Sequence, residues 1–213
     1  YHDMKPEDLV IVNEKGEKKL TLNIGEAVPL AAQVKPSKAS QDVTWKVTKG
    51  EGMISVDENG IVTALKKGTG AVVAISKEKD TVASKEVTVN VLSPAKEFKL
   101  LCGDFKLEIG KELTLSKNTN ASDTKGFFVS PVDSTDTITW SSSNEGVVSV
   151  TKSNTQSVTV KAVAAGTAVL TGVAKSGVSA SVTITVPGKV IRITGITVDK
   201  ELTLNVGGTH QLN

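Results

Sequence analysis

The chain is written twice and begun a third time. Leu20-Thr21-Leu22-Asn23-Ile24-Gly25-Glu26 returns as Phe105-Lys106-Leu107-Glu108-Ile109-Gly110-Lys111 and opens again as Leu202-Thr203-Leu204-Asn205-Val206-Gly207-Gly208. The middle of the pattern recurs too. Val43-Thr44-Trp45 matches Ile138-Thr139-Trp140, Lys67-Gly68-Thr69 matches Ala165-Gly166-Thr167, and Val87-Thr88-Val89 matches Val182-Thr183-Ile184. A spacing in the nineties is too long for a solenoid, whose repeats of roughly 20–50 residues cannot bury their own apolar faces. It suits self-contained domains in series. The sequence therefore divides into a first unit at 1–92, a second at 95–187, and the opening of a third at 190–213, joined by Leu92-Ser93-Pro94-Ala95 and Pro187-Gly188-Lys189. Linkers this short favour an elongated arrangement.

Within each unit the signals are those of strands. Val43, Trp45 and Val47 alternate with Thr44 and Lys46, the period-2 mark of a half-buried strand. Ile54 and Val56 lead into Asp57-Glu58-Asn59-Gly60, and Ile61 to Leu65 leads out, which predicts a hairpin around an Asn-Gly turn. No segment carries a helical apolar stripe of useful length. Strands at this spacing in units of 90–100 residues predict an all-β fold, tandem antiparallel β-sandwiches of about seven strands each. Aromatic residues are only 3% of the chain, so each core is lean, with one Trp as its largest piece.

Together, Leu22-Asn23-Ile24-Gly25-Glu26, Thr139-Trp140-Ser141-Ser142-Ser143-Asn144, the stretch from Val56 to Thr69 and Val87-Thr88-Val89 resemble the bacterial immunoglobulin-like group 2 domain. The resemblance spans almost the whole chain in two copies. It implies an immunoglobulin-like sandwich and a setting in extracellular or cell-surface bacterial proteins, intimin- and invasin-like adhesins among them, or in phage structural proteins. It brings no catalytic or ligand motif with it. The second unit departs from the first in one respect. From the shared Gly to the Trp it runs from 110 to 140, against 25 to 45, so it holds about ten extra residues, placed near 118–131.

The chemistry on offer is sparse. A net charge of +2 on 25 basic and 23 acidic side chains leaves no basic stripe for nucleic acid. No apolar run is long enough to insert in a membrane. His2 and His210 lie at opposite ends without metal-ligand spacing, and Asp57-Glu58-Asn59-Gly60 lacks the alternating ligands of a calcium loop. No cofactor or metal is implied, and no enzyme. The lone Cys102 has no basic neighbours and reads as a small apolar residue. Asn120-Ala121-Ser122 fits a glycosylation pattern that is short and often met by chance, and it reads as polar loop. Trp45 and Trp140, on the apolar faces of their strands, are assigned to the core. Phe127 and Phe128 are adjacent, so in a strand they point to opposite faces; they are the candidate ligand- or partner-binding residues, the alternative being that the insertion folds back and both rings pack on a sheet edge or on the next domain.

Two readings stay open. One is a non-catalytic structural or adhesive segment of a bacterial surface or secreted protein, spacing further domains of the same polypeptide or binding a host or neighbouring surface protein or a glycan. The other is a pair of carbohydrate-binding accessory modules of a secreted glycan-active enzyme, or a phage virion module.

Overall fold

The computed structural model describes residues 4–13, 16, 18–189 and 206; apart from Val206, the opening of the third repeat lies outside the described residues, as do His2 and His210. Two runs of nine strands follow one another. The first is β1 (Asp8–Val12), β2 (Lys19–Asn23), β3 (Ala27–Pro29), β4 (Ala31–Lys35), β5 (Val43–Lys49), β6 (Ile54–Val56), β7 (Ile61–Ala64), β8 (Gly68–Ser76) and β9 (Val87–Leu92). The second is β10 (Glu97–Leu100), β11 (Phe105–Lys106), β12 (Glu112–Asn118), β13 (Phe127–Ser130), β14 (Ile138–Ser142), β15 (Val148–Ser153), β16 (Ser157–Ala162), β17 (Gly166–Ala174) and β18 (Ser179–Val186). No described residue is helical.

Each unit is a two-layer sandwich. One layer is β2-β9-β8-β5 in the first unit and β11-β18-β17-β14 in the second. The facing layer holds β3-β7-β6 and a separate β1-β4 pair in the first, and a continuous β10-β13-β12-β16-β15 sheet in the second. Alternation drives this layering. In β9, Val87, Val89 and Val91 are buried while Thr88, Asn90 and Leu92 are less so, one face in and one face out. Pairing is antiparallel except for β2 with β9, β11 with β18, and a short contact of β12 with β13. Nine strands stand where about seven are expected because the opening strand of each sandwich switches layers and the strand after it is divided, as β3 and β4 in the first unit and β12 and β13 in the second. The opening strand pairs first as β1 with β4, then crosses as β2 to β9. Period-2 alternation does not signal such a crossing.

The predicted hairpin is β6-β7, with Val56 opposite Val62. The Asp57 carboxylate closes its turn by accepting the Asn59 and Ile61 N–H groups at 3.0 and 2.8 Å. Gly60 sits there at φ 80°, and a Cβ would lie 2.7 Å from the Trp45 ring, so this position excludes any side chain.

The register locates the extra residues of the second unit. Leu9 pairs with Val34, and Phe98 with Val129, so β13 is the counterpart of β4 and Phe127 stands where the first unit has Ala32. Buried Leu30 and Leu115 correspond in the same way, beside Gly60 and Val158. The insertion is therefore 117–126, and Phe127 and Phe128 belong to the strand that follows it, not to a loop running to 131. Only long-range pairing with β10 reveals this.

Candidate functional site

Phe127 turns inward and is fully buried, against Phe98 of β10 and Trp140 of β14. Phe98 and Phe127 are tilted at 5.7 Å between centroids, while Trp140 meets Phe98 and Phe127 edge-on at 5.6 and 5.1 Å. These are the arrangements that ring quadrupoles favour. Gly172, opposite Trp140 on β17, makes room for them. A Cβ there would come within 2.7 Å of Phe98 Cζ and 2.8 Å of Trp140 Cζ3. The Trp140 Nε1–H is buried without an acceptor. Such a donor costs about 1–3 kcal/mol, which burial of three rings offsets.

Phe128 points to the other side of β13, in register with Lys99 and Asn118, and is 8% exposed. Neither candidate ring offers a face to solvent. Trp45 is half-buried and packs against both apolar clusters of the first unit. The four aromatic residues picked out from the sequence thus form no exposed platform.

What the insertion does present is polar. The Asn118 amide donates to Asp123 Oδ2 at 2.6 Å, and the Asn118 and Asn120 side-chain oxygens accept the Asn120 and Ser122 N–H groups at 3.1 and 2.9 Å. Asp123 Oδ1 caps Thr124 N–H at 2.7 Å. The bonds from Asn118 and Thr124 hold the Asp123 carboxyl below its usual range. The loop is spent largely on itself. Gly126, at φ 75°, brings the chain back so closely that a Cβ would strike the Ser116 carbonyl oxygen.

The base of the insertion reaches the junction between the units. Lys117 donates its ammonium to Val132 O at 3.0 Å. Lys67, from the first unit, donates to the next carbonyl, Asp133 O, at 2.8 Å and lies 3.8 Å from the Asp133 carboxylate. Burial and then repulsion from Lys67 push the Lys117 pKa down, against the pull of Asp133. Behind these two lysines, the segment that reads as a linker is built into the second unit. Buried Ser93 exchanges bonds with Thr135, whose N–H and Oγ1 donate to Ser93 O at 2.8 and 3.1 Å and whose Oγ1 accepts Ser93 N–H at 3.0 Å. Asp136 Oδ2 accepts the Ala95 and Ser176 N–H groups at 3.1 and 2.9 Å. Burial pushes this carboxyl up, but those bonds outweigh it and set the Asp136 pKa below its usual range. A groove of ≈ 400 Å³ lined by Ile24, Pro94 and Pro131 runs beside the clamp. Sequence reading missed Lys67, Thr135 and Asp136. Ser134-Thr135-Asp136 looks like any polar turn, and its partners lie 40 or more positions away.

Among the described residues no three His, Cys, Asp or Glu side chains gather closely enough to hold a metal ion. Cys102 is half-buried, and burial pushes its thiol pKa up.

The sequence profile of the bacterial Ig-like domain (group 2) matches residues 12–89. The first unit is a bacterial Ig-like domain of group 2. The second repeats the Ig-like sandwich strand for strand. An uncharacterized protein of Clostridium acetobutylicum is 31% identical over 169 residues; the match covers 78% of this chain and 16% of that protein, so the chain spans only a small part of its relative. Among solved structures, domains 4 and 5 of the S-layer protein SbsC align over 87% of this chain and 100% of theirs, at 16% identity and a TM-score of 0.35. The Yersinia pseudotuberculosis adhesin InvE aligns over 84% of this chain and 58% of its own, at 16% identity and a TM-score of 0.42.

Proposed function

We propose that this chain is a structural segment of a bacterial surface or secreted multidomain protein, whose Ig-like sandwiches are separately cored domains held in a braced tandem. It spaces and orients the domains on either side of it and performs no catalysis. The observation that carries this reading is the junction. Short linkers in themselves only limit reach. Here Ser93 and Ala95 are tied by main-chain and side-chain bonds to Thr135 and Asp136, and Lys67 crosses from one unit to the other. The separate apolar clusters support independent domains, since the first unit's lie within residues 9–91 and the second's within 95–186. Burial of Phe127, Phe128 and Trp140 weighs against a flat aromatic platform for sugars.

The test is a distance measurement. Spin labels at Thr44→Cys and Thr183→Cys, in a Cys102→Ala background, should give one narrow inter-unit distance distribution. Lys67→Ala should broaden it. A wild-type distribution as broad as that of two beads on a free tether would overturn the proposal.

A further inference from the structure

Ten strands lie at sheet edges in the described residues, and nine of them carry the usual protection against pairing with another chain. β1, β2, β4, β10, β11 and β15 each include a charged residue, and β3 and β6 are three residues long. β5 has Lys46, Lys49 and a bulge between Val47 and Lys49. β14 is the exception. Its five residues Ile138-Thr139-Trp140-Ser141-Ser142 have no charge, and its pairing with β17 has no bulge.

The free side of β14 is ready to pair. Lys175 N–H bonds to Thr137 O, and Ser143 N–H to Val169 O. Bonded pairs alternate along an antiparallel ladder, so Thr139 and Ser141 also face β17, and the main-chain groups of Ile138, Trp140 and Ser142 face outward. The exposed surface beside this edge is equally bland. Thr139, Ser141, Val169, Val173 and Ser181 all lie open to solvent on the outer face of the sheet. In the first unit, Lys46 occupies the position of Ser141.

We propose that this chain self-associates through the β14 edge, two copies pairing antiparallel about Trp140 to join their four-stranded sheets. A two-fold axis makes one edge complementary to itself. Ile138 then meets Ser142 of the other copy, and about six main-chain hydrogen bonds form. The flanking charges permit this partner. In the same register Asp136 falls opposite Asn144 and Glu145 opposite Thr135, so no acidic group confronts its like. An edge with lysines at its centre offers no such match. The contact is small, at the low end of specific interfaces, and works as lateral adhesion between neighbouring copies on one surface.

Sedimentation velocity of the full chain over a concentration series tests it. The weight-average mass should climb towards the dimer, and Ser141→Lys, which installs the first unit's residue, should hold it at monomer with the melting temperature unchanged. If Ser141→Lys melts early, Thr139→Lys on the same exposed row takes its place. Register gives a second readout. Non-bonded antiparallel partners lie about 4.5 Å apart at Cα, within disulfide reach. In a Cys102→Ala background, Thr139→Cys mixed with Ser141→Cys should cross-link, and each alone should not. A chain that stays monomeric throughout, a dimer indifferent to the lysine, or cross-linking in the unmixed variants would each overturn the proposal, as would a monomer whose β14 edge takes up only a foreign strand.

Discussion

The two units share nine strands in one order, yet one has a divided interior and the other a single one. In the first, Leu9, Val34, Ala39, Ala74 and Val82 form a cluster apart from the main one, with half-buried Trp45 between them. In the second, one cluster runs from Ala95 to Val186 with Trp140 inside it. Three corresponding positions account for the change: Leu9, Ala32 and Ala74 become Phe98, Phe127 and Gly172. The insertion completes it, because Lys117 and Asn118 pair with Phe127 and Phe128 and join what is a separate two-stranded piece in the first unit to the main sheet. Extra residues in a loop thus reorganise a core without changing the strand order.

The comparison breaks most readily at its centre. Phe127→Ala gives β13 the residue its counterpart β4 already has, and should cost the second unit about 3–5 kcal/mol through lost burial and the cavity left behind. Denaturant unfolding followed by Trp140 fluorescence, in a Trp45→Phe background, reads this. A loss below about 1 kcal/mol would mean that the cluster collapses around the gap and that the aromatic trio is not what unites the core. The two tryptophans should rank accordingly. Trp140→Ala should cost about 3–5 kcal/mol in its unit, and Trp45→Ala, at a less buried position, somewhat less by area. Equal costs by circular dichroism would erase the distinction between divided and single interiors.

Gly172→Ala asks a finer question. The new methyl overlaps two rings packed on each other, and the expected loss is about 1–3 kcal/mol. Adding Phe98→Leu, the first unit's residue, should return part of that loss, so that the pair costs less than the two changes summed. Strict additivity would show that the glycine and the phenylalanine do not depend on each other.

Much of this was legible in the sequence. The repeat, the period-2 strands and the hairpin at Asp57–Gly60 follow from local pattern, and the ten-residue excess follows from spacing alone. Its position does not. Phe127 and Phe128 read as part of an inserted loop because the residues that make them a strand, Glu97 to Leu100, lie about thirty positions upstream. Adjacent aromatics in a strand point to opposite faces, but that leaves one exposed only where a single layer of protein covers the strand, and Phe128 is covered too. The junction was illegible for a related reason. Ser93-Pro94-Ala95 has the composition of a linker, and nothing local says that Thr135 and Asp136 will fold back to bind it. Edge protection was readable only in hindsight, since a strand's charges matter once its neighbours are known.

The smallest effect separates the units by pH. Lys175 bonds to Thr137 O as Lys77 bonds to Asp42 O, so Asp136 corresponds to Gln41, and each holds main-chain groups of its own unit. Gln41 does not titrate. The Asp136 pKa is lowered on folding, so the carboxylate's contribution is complete above its ordinary value of 3.8 and is lost as pH falls from there through the folded-state value. Because the group is partly solvated, about 1 kcal/mol is at stake. Asp136→Asn should remove that amount from the second unit at neutral pH and flatten its stability below pH ~4, where the wild type keeps falling. The first unit should not respond to the change. If instead the two proteins lose stability in parallel on acidification, Asp136 is only a bystander at the joint, and the bracing must rest on Ser93 and Thr135, whose bonds are indifferent to pH.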